Sequence, residues 1–315
     1  METLKVIVFL VLGFVLLLKG ADFFVDGASS VAKIFKVPSL IIGLTIVALG
    51  TSLPELAVSV TASISNNNAL AVSNVVGSNL FNLVIVLGAS ALMNPIVVSK
   101  DTIKKDYPFS VVCAILLLVL GVIGMQLGFI DGCILLIVFL CFLNYQIYCA
   151  VKGRIQLEAN QEKEIPLWLS IIYIVGGAVA IKFGGDFVVN SAVSIANSLG
   201  LSQTLIGLTI VACGTSLPEL ATSVVAAKKG ELDMAVGNVV GSNVFNILAI
   251  LGIASVISPI TFLSENILDI IILLMFSLFT WFLCWTKNKL DKKEGIMMIL
   301  LYVVYLVYIC IRAVL

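Results

Sequence analysis

The 315-residue sequence contains no histidine, which removes the commonest general base and the commonest zinc ligand from any chemistry it could support. Charge is scarce too: Asp, Glu, Lys and Arg make up 11% of the residues and cancel to a net charge of zero. Without a basic excess there is no case for nucleic-acid binding. Cysteine occurs seven times, at positions 113, 133, 141, 149, 213, 284 and 310, with no Cys-x-x-Cys pair. Nearly all seven lie in apolar stretches, where cysteine packs as a small hydrophobe. A long polar stretch is also missing. The one sizeable polar segment, 152–166, is too short for a soluble domain. The N-terminal segment carries Glu2 beside Lys5 and has no small-residue cleavage site before Asp22, so it is expected to be retained.

What the chain has in abundance is apolar surface. Hydrophobic residues reach 61% and the mean hydropathy is +1.18, values of an integral membrane protein. Apolar runs long enough to cross a bilayer predict ten helices, near 3–32, 38–65, 69–94, 107–124, 130–150, 167–197, 203–228, 233–258, 266–286 and 295–314. The expected fold is an all-α membrane protein of two five-helix units. These are 1–151 and 167–315, joined by a short loop, 152–166.

The two units repeat each other. Gly43 to Leu56 reads GLTIVALGTSLPEL and Gly207 to Leu220 reads GLTIVACGTSLPEL, a single difference at Leu49 and Cys213. Asn74 to Asn82 and Asn238 to Asn246 form a second pair at the same spacing of 164, and Asp22-Phe23, Asp186-Phe187, Pro95 and Pro259 follow it. A repeat with an odd number of spans inserts its second copy upside down, so the units are expected to be inverted.

Loop charge tests this arrangement independently. With the N-terminus outside, the inner segments hold Lys33, Lys36, Lys100, Lys104, Lys105, Lys152, Arg154, Lys163, Lys228, Lys229, Lys287, Lys289, Lys292 and Lys293; only Lys5 and Arg312 fall outside. The positive-inside rule therefore favours a multi-pass protein of the cell membrane with both termini extracellular and the central loop cytoplasmic. Trp168, Trp281 and Trp285 lie near span ends and read as interface anchors. Lys19 with Asp22, and Lys182 with Asp186, read as neutralising pairs.

The twinned motifs carry the chemistry. Pro54 lacks an N–H, so the helix should break near Gly50, with Thr51 or Ser52 capping its second half. Broken backbone at membrane depth is tolerated where it is buried in protein or lines a cavity. There it offers carbonyls, hydroxyls and the Glu55 carboxylate, hard oxygens suited to Na+ or Ca2+; Gly214 to Glu219 repeats the set. Ser52-Leu-Pro-Glu55 also fits a capping box. A carboxylate at the bilayer centre costs about 3 kcal/mol on insertion scales, however, and a neutral glutamine would cap nearly as well. In the second motif Gly77-Ser78-Asn79 and Gly241-Ser242-Asn243 could be small-residue contacts that let helices approach closely, a reading that suits the glycines best. Ser78 with Asn82, and Ser242 with Asn246, share a helical face, and Asn74 and Asn238 could extend it.

On these residues the chain resembles the cation/calcium antiporter superfamily, and within it the sodium/calcium exchangers of prokaryotic type. The resemblance covers essentially the whole chain. It implies long first and sixth helices sliding over a core of the other eight, with broken helices and ion sites at the midplane between spans two, three, seven and eight. The ligands it implies are Glu55, Glu219, Thr51, Thr215, Ser52, Ser216, Ser78, Ser242, Asn82 and Asn246, with the backbone carbonyls of Ala48 and Ala212. Asparagine at 246, where potassium-dependent relatives carry aspartate, weighs against K+ transport. The large cytoplasmic regulatory insert of animal exchangers is absent.

The expected activity is Na+/Ca2+ antiport by alternating access, with no cofactor and no protein partner beyond the lipid bilayer. Na+ and Ca2+ are nearly equal in size, so charge must separate them. One Ca2+ neutralises two glutamates at a shared centre, whereas several Na+ ions spread over adjacent oxygens. The closest alternative is H+/Ca2+ antiport with the same glutamates as proton carriers. A passive cation channel fits the inverted repeat less well. An intramembrane enzyme is weaker still, since Ser52 and Ser216 have no histidine to activate them.

Overall fold

The computed structural model describes residues 2–65, 68–153, 165–200, 206, 209–210 and 212–312, and these are overwhelmingly helical. In the first half run α1 (Glu2–Phe35), α2 (Ser39–Thr51), α3 (Leu53–Ile64), α4 (Leu70–Met93), α5 (Thr102–Val122) and α6 (Phe129–Gly153). The second half holds α7 (Leu167–Ser198), α8 (Ala212–Gly214), α9 (Leu217–Lys228), α10 (Leu232–Ile257), α11 (Ser264–Lys287) and α12 (Lys292–Arg312). Among the described residues eight helices are long and apolar enough to cross a membrane. The pair α2 and α3, bent by 49° at its junction, makes a ninth. The tenth expected span, 203–228, corresponds to α8 and α9; 201–205, 207, 208 and 211 lie outside the described residues, as do 154–164 of the central loop.

The spacing of 164 persists in the elements: α3 starts and ends 164 residues before α9. A π-helical turn at Asn82–Val86 in α4 recurs at Asn246–Ile250 in α10. Two short antiparallel ladders join the halves, Ile96–Val97 with Lys289–Leu290 and Gln126–Leu127 with Ile260–Thr261. The central pair is α4 and α10, whose most apolar stretches are 78% and 83% buried, against 17% for α6. They form the core, and the outer helices turn leucine, isoleucine and valine outward, as lipid contact requires.

The long helices α1 and α7 pack antiparallel along a glycine seam. Gly13, Gly20 and Gly27 recur every seven residues and meet Gly184, Gly177 and Ser170. A Cβ on Gly20 would lie 2.9 Å from the Ile181 nitrogen, and one on Gly184 would lie 2.6 Å from the Leu17 nitrogen. Small residues permit this backbone approach, and dispersion then replaces the hydrophobic drive that lipid cannot supply. Phe9 on Phe187 and Phe23 on Tyr173 flank the seam with edge-to-face contacts.

Three expectations change in detail. The fourth span starts at Thr102, not 107, because Ser99 Oγ accepts the Thr102 N–H and begins the helix early, placing Lys104 and Lys105 on it. Trp281 is half-buried and donates to the Ile103 carbonyl at 2.8 Å, so it ties α11 to α5; Trp168 and Trp285 remain exposed, at 63% and 67%. Neither Ser52 nor Ser216 makes a side-chain cap bond, although each occupies the residue before its helix. Their hydroxyls are committed across the site. All seven cysteines are free thiols, in keeping with a packing role.

Helices α2 and α10 also meet backbone to backbone. A Cβ on Gly237 would sit 2.5 Å from the Leu40 carbonyl oxygen, backbone that cannot swing away. Gly237→Ala should therefore push these helices apart and destabilise the fold by about 1–3 kcal/mol. Gly176→Ala, whose Cβ meets nothing within 4 Å among the described residues, should leave the melting temperature in detergent unchanged or slightly raised.

Candidate functional site

The two glutamates of the twinned motif lie in the first turns of α3 and α9, and both are 0% exposed. Ser52 (φ −86°, ψ 10°) and Ser216 (φ −92°, ψ 8°) interrupt the helices just before them, with Pro54 and Pro218 at the second position of the new helix. A proline there loses nothing, because the first N–H groups of a helix have no internal partner. The break aims the positive end of each half-helix at its own carboxylate.

The hydroxyls cross between halves. Ser52 Oγ donates to Glu219 Oε1 at 2.8 Å, and Ser216 Oγ donates to Glu55 Oε1 at 3.1 Å. Within each half, Ser78 reaches Glu55 Oε1 and Ser242 reaches Glu219 Oε1, both at 3.5 Å. Thr215 contacts Ser78 through hydroxyls 3.5 Å apart. Thr51 instead donates to Asn238 Oδ1 at 3.1 Å. The Ala48 carbonyl takes the Ser52 N–H at 3.1 Å and Thr51 Oγ1 at 3.4 Å, while Ala212 opens the short helix α8. The close-approach reading of the motif glycines holds for Gly241, whose Cβ would fall 2.7 Å from Leu44 Cα; the residue matching Leu44 for Gly77, 208, lies outside the described residues.

Asn74 and Asn238 do not extend the ligand face. Each donates to a serine and to the backbone of the neighbouring glutamate helix: Asn74 to Ser59 Oγ (3.1 Å) and the Glu55 carbonyl (3.4 Å), Asn238 to Ser223 Oγ (2.9 Å) and the Glu219 carbonyl (3.5 Å). They fix the helices that carry the carboxylates. Asn79 and Asn243, which the sequence reading grouped only with the small-residue contacts of the second motif, form a reciprocal pair at the centre. Their presence in both copies was the available signal.

On the motif residues, four buried acceptors have no partner among the described residues: Glu55 Oε2, Glu219 Oε2, Asn82 Oδ1 and Asn246 Oδ1. Helix α9 packs against the Asn82–Val86 turn of α4, and α3 against the Asn246–Ile250 turn of α10, so the helices that carry the carboxylates adjoin the turns that carry the amides. Buried oxygens lacking a donor are costly unless something positive meets them. Two carboxylates with neutral oxygens suit a hard cation, and π-helical turns are frequent at such functional places.

The two glutamate helices differ in how the described residues cover them. Helix α1 packs on α9, and the turn after α9 is pinned to it: Lys229 Nζ lies 3.0 Å from Asp22 and 2.8 Å from Asp26, and Ser29 donates to Glu231. Ala221, Thr222, Val225, Ala226 and Met234 are accordingly buried. Their counterparts 164 residues earlier, Ala57, Val58, Thr61, Ala62 and Leu70, line a cleft of about 430 Å³ that ends at Ser65.

Comparison with known proteins gives a consistent answer. The family model described as sodium/calcium exchanger protein matches residues 5–148 and 169–311. CaxA of Alkalimonas amylolytica is 41% identical over 258 residues, covering 80% of this chain and 81% of its own. Sodium/calcium exchanger MaX1 of Methanosarcina acetivorans is 30% identical over 330 residues, with coverage of 92% and 94%. A solved structure of the sodium-calcium exchanger NCX_Mj superposes with a TM-score of 0.85 at 31% identity, covering 98% of this chain and 99% of that one.

The unequal access predicts unequal reactivity. In a background with the native cysteines replaced, Thr61→Cys should react with a water-soluble maleimide at least about tenfold faster than its counterpart Val225→Cys, which is 7% exposed in the wild type. Mass spectrometry of the labelled protein reads both rates.

Proposed function

The chain belongs to the sodium/calcium exchanger family, and from that premise we propose that it exchanges Na+ for Ca2+ by alternating access. The ions compete for one site built around Glu55 and Glu219. The observation that carries this reading is the set of four buried, unpartnered oxygens, two of them on carboxylates. A proton carrier needs the carboxylates alone. The amide oxygens of Asn82 and Asn246 and the surrounding hydroxyls add neutral oxygens that suit a hard metal cation and that a proton carrier does not need. Thr51, Thr215, Ser52, Ser216, Ser78, Ser242 and the carbonyls of Ala48 and Ala212 complete the proposed set.

Charge then sets the exchange. One Ca2+ neutralises both glutamates at a shared centre, and Na+ ions do the same from separate oxygen sites. Either occupant excludes the other. The empty site holds two like charges away from water and resists the change of access; a neutralised site permits it. The reciprocal bonds between halves support ten spans in two inverted units, since an in-plane axis exchanges Ser52 on Glu219 with Ser216 on Glu55.

The lysine-rich loops favour both termini outside and the central loop in the cytoplasm. In that orientation the cleft beside Thr61 opens outward, and the Lys229 contacts with Asp22 and Asp26 close the inner side. This is an outward-facing arrangement. The glycine seam makes α1 and α7 a single body that slides between the two states.

Radioactive Ca2+ uptake into Na+-loaded proteoliposomes, with pH clamped on both sides by an ionophore, tests the proposal. Uptake should require internal Na+. Glu55→Gln and Glu219→Gln should each reduce it by at least about a hundredfold while the proteins remain monodisperse, because half of the site charge is lost. Near-normal flux in either variant contradicts the site, and uptake driven by a pH gradient without Na+ makes the protein a proton-coupled exchanger.

A further inference from the structure

Asn82 and Asn246 each present a free oxygen, yet an amide has two ends of nearly equal size, and the wrong end would aim an NH2 group at a cation. The centre of the molecule determines which end faces inward. Asn79 Nδ2 donates to the Asn243 backbone carbonyl at 3.1 Å, and Asn243 Nδ2 donates to the Asn79 backbone carbonyl at 3.2 Å. A carbonyl only accepts, so neither of these amides can turn over. Their own oxygens are thereby directed outward as acceptors. Asn82 Nδ2 donates to Asn243 Oδ1 at 3.2 Å, and Asn246 Nδ2 donates to Asn79 Oδ1 at 3.0 Å.

All four asparagines are at most 1% exposed. Turning Asn82 over would place oxygen against oxygen at Asn243 Oδ1 and would aim an NH2 group at the cation. Low dielectric makes both errors expensive. We propose that Asn79 and Asn243 are positioning residues that hold Asn246 and Asn82, respectively, with oxygen toward the cation site. This inference rests on the proposed reading of that site.

The belt also explains why neutral residues occupy 82 and 246. An aspartate at 246 has no hydrogen to give Asn79 Oδ1, and the Asn79 amide is already committed to backbone. The belt therefore keeps the charge of the site at the two glutamates, and so sets how many cationic charges neutralise it.

The pairing is crossed, and that makes it separable from a packing role. Asn243→Ala releases Asn82 but leaves the Asn79 amide on the Asn243 backbone carbonyl, so Asn246 stays held. The test measures the apparent KM for Ca2+ uptake into Na+-loaded proteoliposomes in double-mutant cycles. Asn82→Ala and Asn243→Ala should each raise KM about tenfold, the equivalent of one buried hydrogen-bonded ligand. The double variant should match Asn82→Ala within about twofold. Asn243→Ala combined with Asn246→Ala should instead multiply the two effects.

Equal coupling in matched and crossed pairs, with KM raised in Asn82→Ala, overturns the belt and leaves the cation site standing. An unchanged KM in both Asn82→Ala and Asn246→Ala overturns the cation site and this inference together. Melting in detergent reads folding separately. Should Asn243→Ala not fold, Asn79→Ala with Asn246→Ala runs the mirror cycle and is read in the same way.

Discussion

Two carboxylates with no exposure, Glu55 and Glu219, dominate the energetics of this molecule. An uncompensated charge at membrane depth costs several kcal/mol, and the architecture around the pair reads as its compensation. The prolines break α2–α3 and α8–α9 so that each glutamate sits at a helix N-terminus. Serine hydroxyls cross from the opposite half, so neither half completes its own site. Asn74 and Asn238 brace the helices from behind. Even so, one oxygen of each carboxylate has no partner among the described residues, and the proposed cation would complete the compensation.

In the proposed exchange, that incompleteness links binding to movement. The core of α4 and α10 is tightly buried and tied across the middle by the asparagine belt, so it is the part least able to deform. The long pair α1 and α7 is bound to itself through backbone contact, and α1 grips one side of the core through Lys229, Asp22 and Asp26. The positions matching Lys229 and Asp26 are Ser65 and Asn190, so the opposite closure has no equivalent ion pairs. The two closed arrangements are chemically unequal, although the halves are nearly the same in sequence at the site.

Much of this was legible in the residues. The spacing of 164, the paired Gly-Thr-Ser-Leu-Pro-Glu motifs and the apolar runs pointed to a helical membrane protein with twinned breaks, and the glutamates were recognisable from their cost. Less was legible about what each polar group binds. Ser52 looked like a helix cap because capping is local, whereas its partner is 167 residues away. Asn79 looked like part of a small-residue contact, since nothing in one strand of sequence shows that its amide meets the backbone of its own twin. Trp281 looked like an interface anchor because a span end and a helix contact share the same position along the chain. Long-range partners were the missing information in all three cases.

The central claim is that Na+ and Ca2+ compete for one site containing Glu55 and Glu219. Its most direct test is calorimetric titration of Ca2+ into the purified protein at a series of Na+ concentrations and constant pH. The account predicts a single class of Ca2+ site whose apparent affinity falls steadily as Na+ rises, with no change in capacity. Ca2+ affinity that ignores Na+, or capacity that falls while affinity holds, would contradict it.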